Sequence, residues 1–472
     1  MLGNSLSILI NRLVQSLTTF ALVAAIARLL GPYELGQYLL AFGYYYIFMS
    51  IASQGLKVLF TRELSRNLEE VQLYLINGTL LQLFASLISY GILVITVFLL
   101  PYNSDTSTAC YILGLMVVPF SLSNVTEAIF QAQERMYLIT LSTVPVYILR
   151  LLVIIWIMQQ GYTINLVSAI LVLSEIFILV LQWGLLIQKI NLERQINWSF
   201  MRRSIKAART FFAIEAIAVL KDRMQLLILS LIGGEIVVGL YGAVMQLMQP
   251  FEIIAHSLAL AIFPRMNKIV AAEPEKLRDL VEGVIEILLS VALPLIIGLF
   301  FLGRDLLVFV YGNPSFADAD TALKIVALAL VASSLMKPLS LALVASGFER
   351  INLREVSVTT SIGGLISIVL VTAYQLTGAA ITALLMQLIA CGQYVYPVHR
   401  RLFPIRFWHV LRYPMLASIW TLCVFLILQR ITQDLLITML TATSLYCLLI
   451  MTLSIYAFGG LNAVKAKLRR SL

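Results

Sequence analysis

Fourteen apolar stretches follow one another along the 472 residues, separated by short polar or Gly/Pro-containing segments. A helix that crosses the hydrocarbon core of a bilayer needs about 20 apolar residues, so little of the chain is left for a folded domain outside the membrane. Only 12% of the residues are charged, against roughly 25% in soluble proteins, which excludes a water-soluble enzyme. The stretches predict an all-α polytopic membrane protein. They are 8–30, 36–56, 73–100, 109–130, 137–158, 163–187, 210–232, 238–263, 281–302, 321–345, 356–374, 379–396, 414–428 and 435–458.

The distribution of Lys and Arg predicts the orientation of these spans. If the N-terminus is cytoplasmic, 24 of the 33 Lys and Arg lie on cytoplasmic segments, and only Arg304 and Arg430 lie on outer ones. Basic loops are not readily translocated, so this asymmetry predicts that both termini are cytoplasmic. The net charge of +9 then reflects inner loops and anionic lipids rather than nucleic acid.

The N-terminal segment, the cysteines and the histidines add four negative expectations. Residues 1–13 have no basic n-region and no small-residue cleavage site, so we interpret them as the start of the first span rather than as a signal peptide. The four Cys and three His are scattered without CxxC or His-pair spacing. We therefore expect no disulfide framework, no metal site and no cofactor.

The chain contains a weak internal duplication. Residues 36–70 match residues 239–273 without a gap, with 8 of 35 positions identical, including Gly36 and Gly239. The turn Gln133-Glu134-Arg135 also resembles Phe348-Glu349-Arg350. Two parallel six-helix lobes are predicted, since repeated halves are common in transporters; chance similarity between apolar helices is the alternative. The predicted limits are 1–187 for the first lobe, 188–209 for a basic linker, 210–397 for the second lobe and 398–472 for a loop, helices 13 and 14 and a basic tail.

Seven Lys and Arg residues fall inside predicted spans. Each costs about 2.5–3.5 kcal/mol on a lipid-facing surface, so such groups usually face a protein interior or a water-filled cavity. Lys221, Asp222 and Arg223 lie near the middle of the seventh span, and Glu215 and Gln225 share a helix face with Asp222. We interpret this cluster as cavity lining; a structural ion-pair network is the alternative.

Other spans carry further polar groups. Asn11, Arg12 and Gln15 lie on polar faces of the first span, although Arg12 is close enough to the inner surface to snorkel. Arg150 and Glu175 lie in the middle of neighbouring spans and are predicted to pair. Such a pair is more often structural than functional.

Two further ionisable groups lie beside prolines. Lys337 precedes Pro338, and Glu252 follows Pro250 by two residues, so both lie where a kink is expected. In the second span, Tyr44, Tyr45 and Tyr46 are distributed around the helix. We expect packing rather than sugar stacking from them.

Five short motifs follow one another along the chain. They are Arg28-Leu-Leu-Gly-Pro-Tyr-Glu-Leu-Gly-Gln-Tyr38, Arg62-Glu-Leu-Ser-Arg66, Asp222 followed by Val238-Gly-Leu-Tyr241, Tyr311-Gly-Asn-Pro-Ser-Phe316 and Ala345-Ser-Gly-Phe-Glu-Arg350. In order and spacing they resemble the oligosaccharide flippases, which form the polysaccharide-transporter branch of the superfamily that also contains multidrug exporters and lipid II flippases. The resemblance covers residues 6–397.

The resemblance implies a V-shaped, multidrug-exporter-like fold of two six-helix lobes with an additional helix pair. It also implies translocation of undecaprenyl-pyrophosphate-linked oligosaccharide by alternating access through a cationic cavity between the lobes. The protein would be a monomeric transporter of the bacterial plasma membrane that works with membrane lipids and with polysaccharide polymerases and glycosyltransferases. Candidate substrate-binding groups are Lys221, Arg223, Arg12, Lys337 and Arg150; candidate proton- or cation-coupling groups are Asp222, Glu175, Glu252 and Glu215; candidate polar lining groups are Asn11, Gln15 and Gln225.

Two alternatives remain open at this stage. A cation-coupled multidrug or small-molecule antiporter of the same superfamily predicts a more acidic and aromatic cavity. A membrane-embedded glycosyltransferase or polymerase predicts essential acids in the outer loops. The longest of these loops, 303–320, offers Asp305, Asp318 and Asp320, which we expect to cap or solvate the loop. No nucleotide-binding loop of the GxxxxGK[ST] type is present in the sequence.

Overall fold

A computed structural model describes residues 2–53, 55–187, 196–270 and 274–431, together with residues 441 and 444–446. The regular secondary structure of these residues is helical, and no strand occurs among them. The helices are α1 (Leu2–Leu29), α2 (Pro32–Ser53), α3 (Leu56–Leu64), α4 (Val71–Leu73), α5 (Thr79–Leu99), α6 (Ser104–Gly114), α7 (Val117–Ala132), α8 (Met136–Gln159), α9 (Ile164–Ile187), α10 (Trp198–Ile269), α11 (Pro274–Tyr311), α12 (Asp320–Ala345), α13 (Arg350–Arg401) and α14 (Phe407–Ile431).

Within the described residues, ten helices are long and apolar enough to cross a membrane, or eleven if the bent pair α2 and α3 forms one span. The number of candidate spanning helices is below the fourteen predicted stretches, partly because some continuous helices contain two of these stretches. In α10 the predicted stretches 210–232 and 238–263 lie on either side of Gly234, which has a non-helical φ of 74°. The predicted stretch 435–458 lies almost entirely outside the described residues. The chain is a multi-pass membrane protein, as predicted.

Helix α13 is a hairpin rather than one straight rod. Gln375 has φ 46° and ψ −116°, which breaks the helix between the predicted stretches 356–374 and 379–396. Two hydrogen bonds then join the halves: Gln393 Nε2 donates to Thr359 Oγ1 at 3.1 Å, and Tyr394 Oη donates to Glu355 at 3.1 Å. Since one partner number rises as the other falls, the halves run antiparallel.

The chain folds into two compact units. Unit 1 comprises residues 1–243, 310–315 and 367–379, and unit 2 comprises residues 244–309, 316–366 and 380–472. In unit 1 a buried core forms around Phe60, Phe130 and Phe200; in unit 2 one forms around Leu289 and Leu339. The four predicted sequence limits stay a prediction.

The start of α14 is tied to α11 by one arginine of unit 2. The Arg406 guanidinium donates to Glu282 and to Asp279 at 2.6 Å each, and the Arg406 backbone N–H donates to Glu282 at 2.9 Å. The hydrogen bond to Glu282 raises the already high pKa of Arg406. This contact fixes the chain where it enters α14.

Glycines in unit 1 reveal the internal repeat in three dimensions. Gly31 and Gly234, which are 203 residues apart, both adopt positive φ, 89° and 74°. A Cβ on Gly36 would overlap the carbonyl oxygen of Glu235, and a Cβ on Gly239 would overlap the carbonyl oxygen of Pro32. Pro32 and Glu235 are themselves 203 residues apart. Gly36 of the first repeat therefore packs against Glu235 of the second, and the equivalent glycine of the second repeat, Gly239, packs against the equivalent residue of the first, Pro32. Such reciprocal contacts between equivalent residues are the pattern of a two-fold axis.

The second sequence match is confirmed as a turn, but its predicted alignment is wrong by two residues. Glu134 and Gly347 take the same left-handed conformation, with φ 57° and 78°. The next residues, Arg135 and Phe348, each donate a backbone N–H to the carbonyl five positions earlier, at 2.8 Å. Backbone geometry therefore aligns Gln133-Glu134-Arg135 with residues 346–348. The shared Glu-Arg letters misled the sequence alignment because the turn requires a conformation rather than a side chain.

Candidate functional site: a tyrosine–arginine cavity in unit 1

A cavity of about 150 Å³ lies among five helices of unit 1, namely α1, α2, α7, α8 and α9, and Met116 before α7 also lines it. It is called the tyrosine–arginine cavity below. Its lining combines polar groups with four tyrosines and two phenylalanine rings. The lining residues are Gln15, Thr19, Leu22, Tyr38, Phe42, Tyr45, Tyr46, Met116, Phe120, Tyr147, Arg150, Leu171 and Glu175.

An ion pair forms the charged wall of this cavity. Arg150 Nη1 lies 3.0 Å from Glu175 Oε1 and 3.4 Å from Ser174 Oγ. The guanidinium also stacks on the Tyr147 ring, 4.4 Å from its centroid. Arg150 follows Met136, the start of α8, by 14 residues, which is about 21 Å along a helix. The predicted pair is confirmed, and it lies in the middle of its spans.

Burial makes this pair energetically demanding. The side chains of Arg150 and Glu175 are 12% and 7% exposed. Desolvating two ions costs several kcal/mol each, about as much as their mutual attraction returns. The ring contact and the hydroxyl of Ser174 supply part of the remaining compensation.

A second arginine reaches the same aromatic wall. The Arg223 guanidinium lies over the Tyr46 ring, 4.6 Å from its centroid, and Tyr46 lines the cavity. Arg150 and Glu175 balance each other in charge, so Arg223 gives this region a net positive charge among the described side chains. Two predicted substrate-binding residues, from α8 and α10, are thereby brought to one aromatic wall.

The polar residues of α1 have three different environments. Gln15 lines the cavity. Asn11 accepts a hydrogen bond from Thr143 Oγ1 at 2.8 Å, so it joins α1 to α8. Arg12 is exposed and does not line the cavity, which agrees with the snorkelling alternative.

The predicted cluster on α10 is described only in part. The side chains of Glu215, Lys221 and Asp222 lie outside the described residues. Gln225 is buried and donates a hydrogen bond to the backbone carbonyl of Ala379. Its amide therefore has a structural partner within unit 1.

A separate charged group occurs in unit 2. Lys337 Nζ lies 3.5 Å from Glu252 Oε2, and Ser333 Oγ donates to Glu252 Oε1 at 2.5 Å. Both charged residues were predicted as site residues, but not as partners. Each lies within two residues of a proline inside its helix, Pro338 in α12 and Pro250 in α10.

Among the described residues, the acidic side chains of the predicted outer loop 303–320 do not form a cluster. Asp305 and Asp318 are exposed. Asp320 lies at the start of α12 and pairs with Lys324 one turn later, at 2.6 Å. The start of α12 has no side-chain cap, so Asp320 forms an ion pair along the helix rather than the cap expected for it.

Sequence reasoning missed the aromatic walls of the cavity. Tyr38, Phe42, Tyr45 and Tyr46 all line it from α2, and their numbers follow the i, i+4, i+7, i+8 spacing of one helix face. That spacing was visible in the sequence. The consecutive Tyr44, Tyr45 and Tyr46 obscure this face in the sequence, because only Tyr45 and Tyr46 line the cavity.

Comparison with known proteins now identifies the family. A family model described as "Polysaccharide biosynthesis protein" matches residues 1–270, more than half of the chain. The chain belongs to this family. The predicted membership of the polysaccharide-transporter branch is confirmed. A comparison with curated proteins gives no match.

Solved structures share the fold of this polysaccharide biosynthesis protein. "Lipid II flippase MurJ, inward closed conformation" superposes with a TM-score of 0.75 at 16% identity, covering 95% of this chain and 98% of that chain. An inward-facing multidrug resistance MATE family transporter of the MOP superfamily gives 0.61 at 14% identity, covering 82% and 94%. A MOP superfamily transporter from Pyrococcus furiosus gives 0.55 at 16% identity, covering 84% and 94%. At such identities the likeness establishes the fold, and the predicted fold class is confirmed.

Proposed function

We propose that this protein is a flippase that moves polyprenyl-pyrophosphate-linked oligosaccharide across the bacterial plasma membrane by alternating access, with both termini cytoplasmic. It acts as a transporter, not as an enzyme. The observation that carries this function is the guanidinium of Arg150 in mid-membrane, facing a cavity with tyrosine walls. Membership of the polysaccharide biosynthesis family supports the glycan part of the substrate.

The chemistry follows from what a polar headgroup needs in hydrocarbon. A pyrophosphate cannot enter the membrane interior without cations and hydrogen-bond donors. Arg150 and Arg223 supply planar guanidinium groups, which bind phosphate oxygens in a bidentate manner. Packing alone was expected of Tyr45 and Tyr46, but both line the cavity, and we propose that the tyrosine rings there offer flat apolar faces and hydroxyls to a sugar.

The size of the cavity limits what it holds. A volume of about 150 Å³ is below the roughly 300–1,000 Å³ of pockets that enclose drug-sized ligands. It fits a phosphate group or part of one sugar, not an oligosaccharide. The tyrosine–arginine cavity is therefore assigned to one segment of the headgroup at a time.

The ion pair suggests how binding is coupled to movement. In the structure the Glu175 carboxylate forms an ion pair with the Arg150 guanidinium. A phosphate that binds Arg150 must therefore displace this carboxylate. A displaced, buried carboxylate gains a proton or another cation because its negative charge has lost its partner. Glu175, and in unit 2 Glu252, are accordingly the proposed coupling groups, with Asp222 and Glu215 as further candidates. Arg223, Arg150, Lys221, Arg12 and Lys337 are the proposed substrate-binding groups.

An export assay tests this function. A strain that lacks the gene is complemented with Arg150→Ala, Arg223→Ala, Asp305→Ala or Asp318→Ala, and surface glycan and membrane protein levels are both measured. We expect the two arginine variants to lose export and to accumulate lipid-linked oligosaccharide on the cytoplasmic side. Asp305→Ala and Asp318→Ala are the matched controls and keep export. Loss of export in the aspartate variants alone would instead support the glycosyltransferase or polymerase.

A further inference from the structure

A second pocket, of about 530 Å³, lies entirely in unit 2 at one end of the α13 hairpin. Three arginines line it: Arg354 from the first half of the hairpin, and Arg400 and Arg401 from the second. Ile351 and Ile389 contribute apolar walls, and Tyr396 contributes a ring. It is called the triple-arginine pocket below. It shares no lining residue with the tyrosine–arginine cavity.

The hairpin explains why these arginines meet. Its halves run antiparallel from the break at Gln375, so residues near 354 and near 400 come to the same end, away from the break. The same end carries the basic residues that the charge pattern assigns to the cytoplasm. Arg354 and Arg400 are exposed at the surface, and arginines near the ends of spanning helices extend their charged groups toward the lipid headgroups.

Contacts with aromatic rings hold two of the guanidinium groups in position. Arg400 Nη1 donates to Tyr396 Oη at 2.7 Å. The Arg401 guanidinium lies 5.5 Å from the centroid of the Phe348 ring. The part of the chain that the structure describes contains no carboxylate that forms an ion pair with Arg354, Arg400 or Arg401. The pocket therefore has a concentrated positive charge beside apolar walls.

We infer that the triple-arginine pocket binds the phosphate headgroup of a lipid in the inner leaflet. Guanidinium groups recognise phosphate oxygens, and basic pockets on the cytoplasmic side of membrane helices suit anionic headgroups. The isoleucines and Tyr396 accommodate the glycerol or the first part of an apolar chain. The phosphate comes either from an anionic phospholipid or from a polyprenyl phosphate, and the inference does not depend on the proposed transport function.

Lipid titration of the purified full-length protein in detergent tests this site. The probes are dioleoyl phosphatidylglycerol, a polyprenyl phosphate and the zwitterionic dioleoyl phosphatidylcholine, and binding is measured by native mass spectrometry. The triple variant Arg354→Gln/Arg400→Gln/Arg401→Gln is expected to bind the anionic probe about tenfold or more weakly, the effect of losing at least one charge-assisted hydrogen bond. The matched control is Arg350→Gln, which removes an exposed arginine one turn before Arg354 that does not line the pocket.

The two anionic probes distinguish the sources of the phosphate. Tighter binding of phosphatidylglycerol supports a phospholipid site, and tighter binding of polyprenyl phosphate supports a site for the carrier lipid. Equal binding of phosphatidylcholine, unchanged binding in the triple variant, or an equal loss in Arg350→Gln would each overturn the inference. The melting temperature without added lipid checks folding; should the triple variant melt early, the single variants Arg354→Gln and Arg400→Gln take its place.

Discussion

Two ion pairs among the described residues of the spanning helices differ in how far they are shielded. Arg150 and Glu175 in unit 1 are 12% and 7% exposed, whereas Lys337 and Glu252 in unit 2 are 36% and 33% exposed. The N–O distances also differ, 3.0 Å against 3.5 Å. The cost of breaking a pair depends on its surroundings, because a charge that water reaches can be solvated when its partner leaves. We therefore expect the buried pair, Arg150 and Glu175, to cost more to break than the open pair, Lys337 and Glu252.

Removal of one member of the buried pair is expected to have the largest effect. Glu175→Gln leaves the Arg150 charge uncompensated in the protein interior, a change that costs about 3–5 kcal/mol. The measurement is thermal unfolding of the purified protein in detergent. Glu252→Gln is the matched change in the open pair, and we expect it to lower stability by less than about 1 kcal/mol. Equal losses would remove the distinction between the two pairs.

Removal of both members of the buried pair separates stability from transport. Arg150→Met/Glu175→Leu should recover most of the stability lost by Glu175→Gln, since an apolar replacement of a buried pair is often neutral or stabilising. Export should stay absent because the Arg150 guanidinium, which faces the cavity, is missing. Recovery of both stability and export would assign the pair a purely structural role.

The aromatic contact of Arg223 is expected to have an intermediate effect. Tyr46→Ala removes the ring beneath the guanidinium, which is worth about 0.5–2 kcal/mol, and should reduce export while Tyr46→Phe retains it. Glycan export and melting temperature are measured together. Loss of export in Tyr46→Phe would shift the role from the ring to the hydroxyl.

The smallest effect is expected when Lys337, the cationic member of the open pair, loses its charge. Lys337→Gln should change the melting temperature little, and its effect on export should be smaller than that of Arg150→Ala. If Lys337→Gln reduced export more than Arg150→Ala at unchanged stability, Lys337 in unit 2 would be the more important substrate-binding residue.

The fold class could be predicted from the amino-acid sequence, but not all of the side-chain partners could. Apolar length and the bias of Lys and Arg are local properties of the chain, so they predict the spans directly. Arg150 and Glu175 were predictable as a pair because neighbouring spans carry them at similar depth. Glu252 and Lys337 were not, since they lie 85 positions apart on helices whose packing no local pattern specifies.

The glycine crossing between α2 and α10 has an evolutionary implication. Gly36 contacts Glu235, and Gly239 contacts Pro32. Two identical subunits related by a two-fold axis would make the same pair of contacts. A half-length ancestor that paired with a second copy of itself through this glycine would have made the same contact before the genes fused. After fusion, neither position can acquire a side chain without a shift of the main chain, because Gly36 packs against the carbonyl of Glu235 and Gly239 against the carbonyl of Pro32.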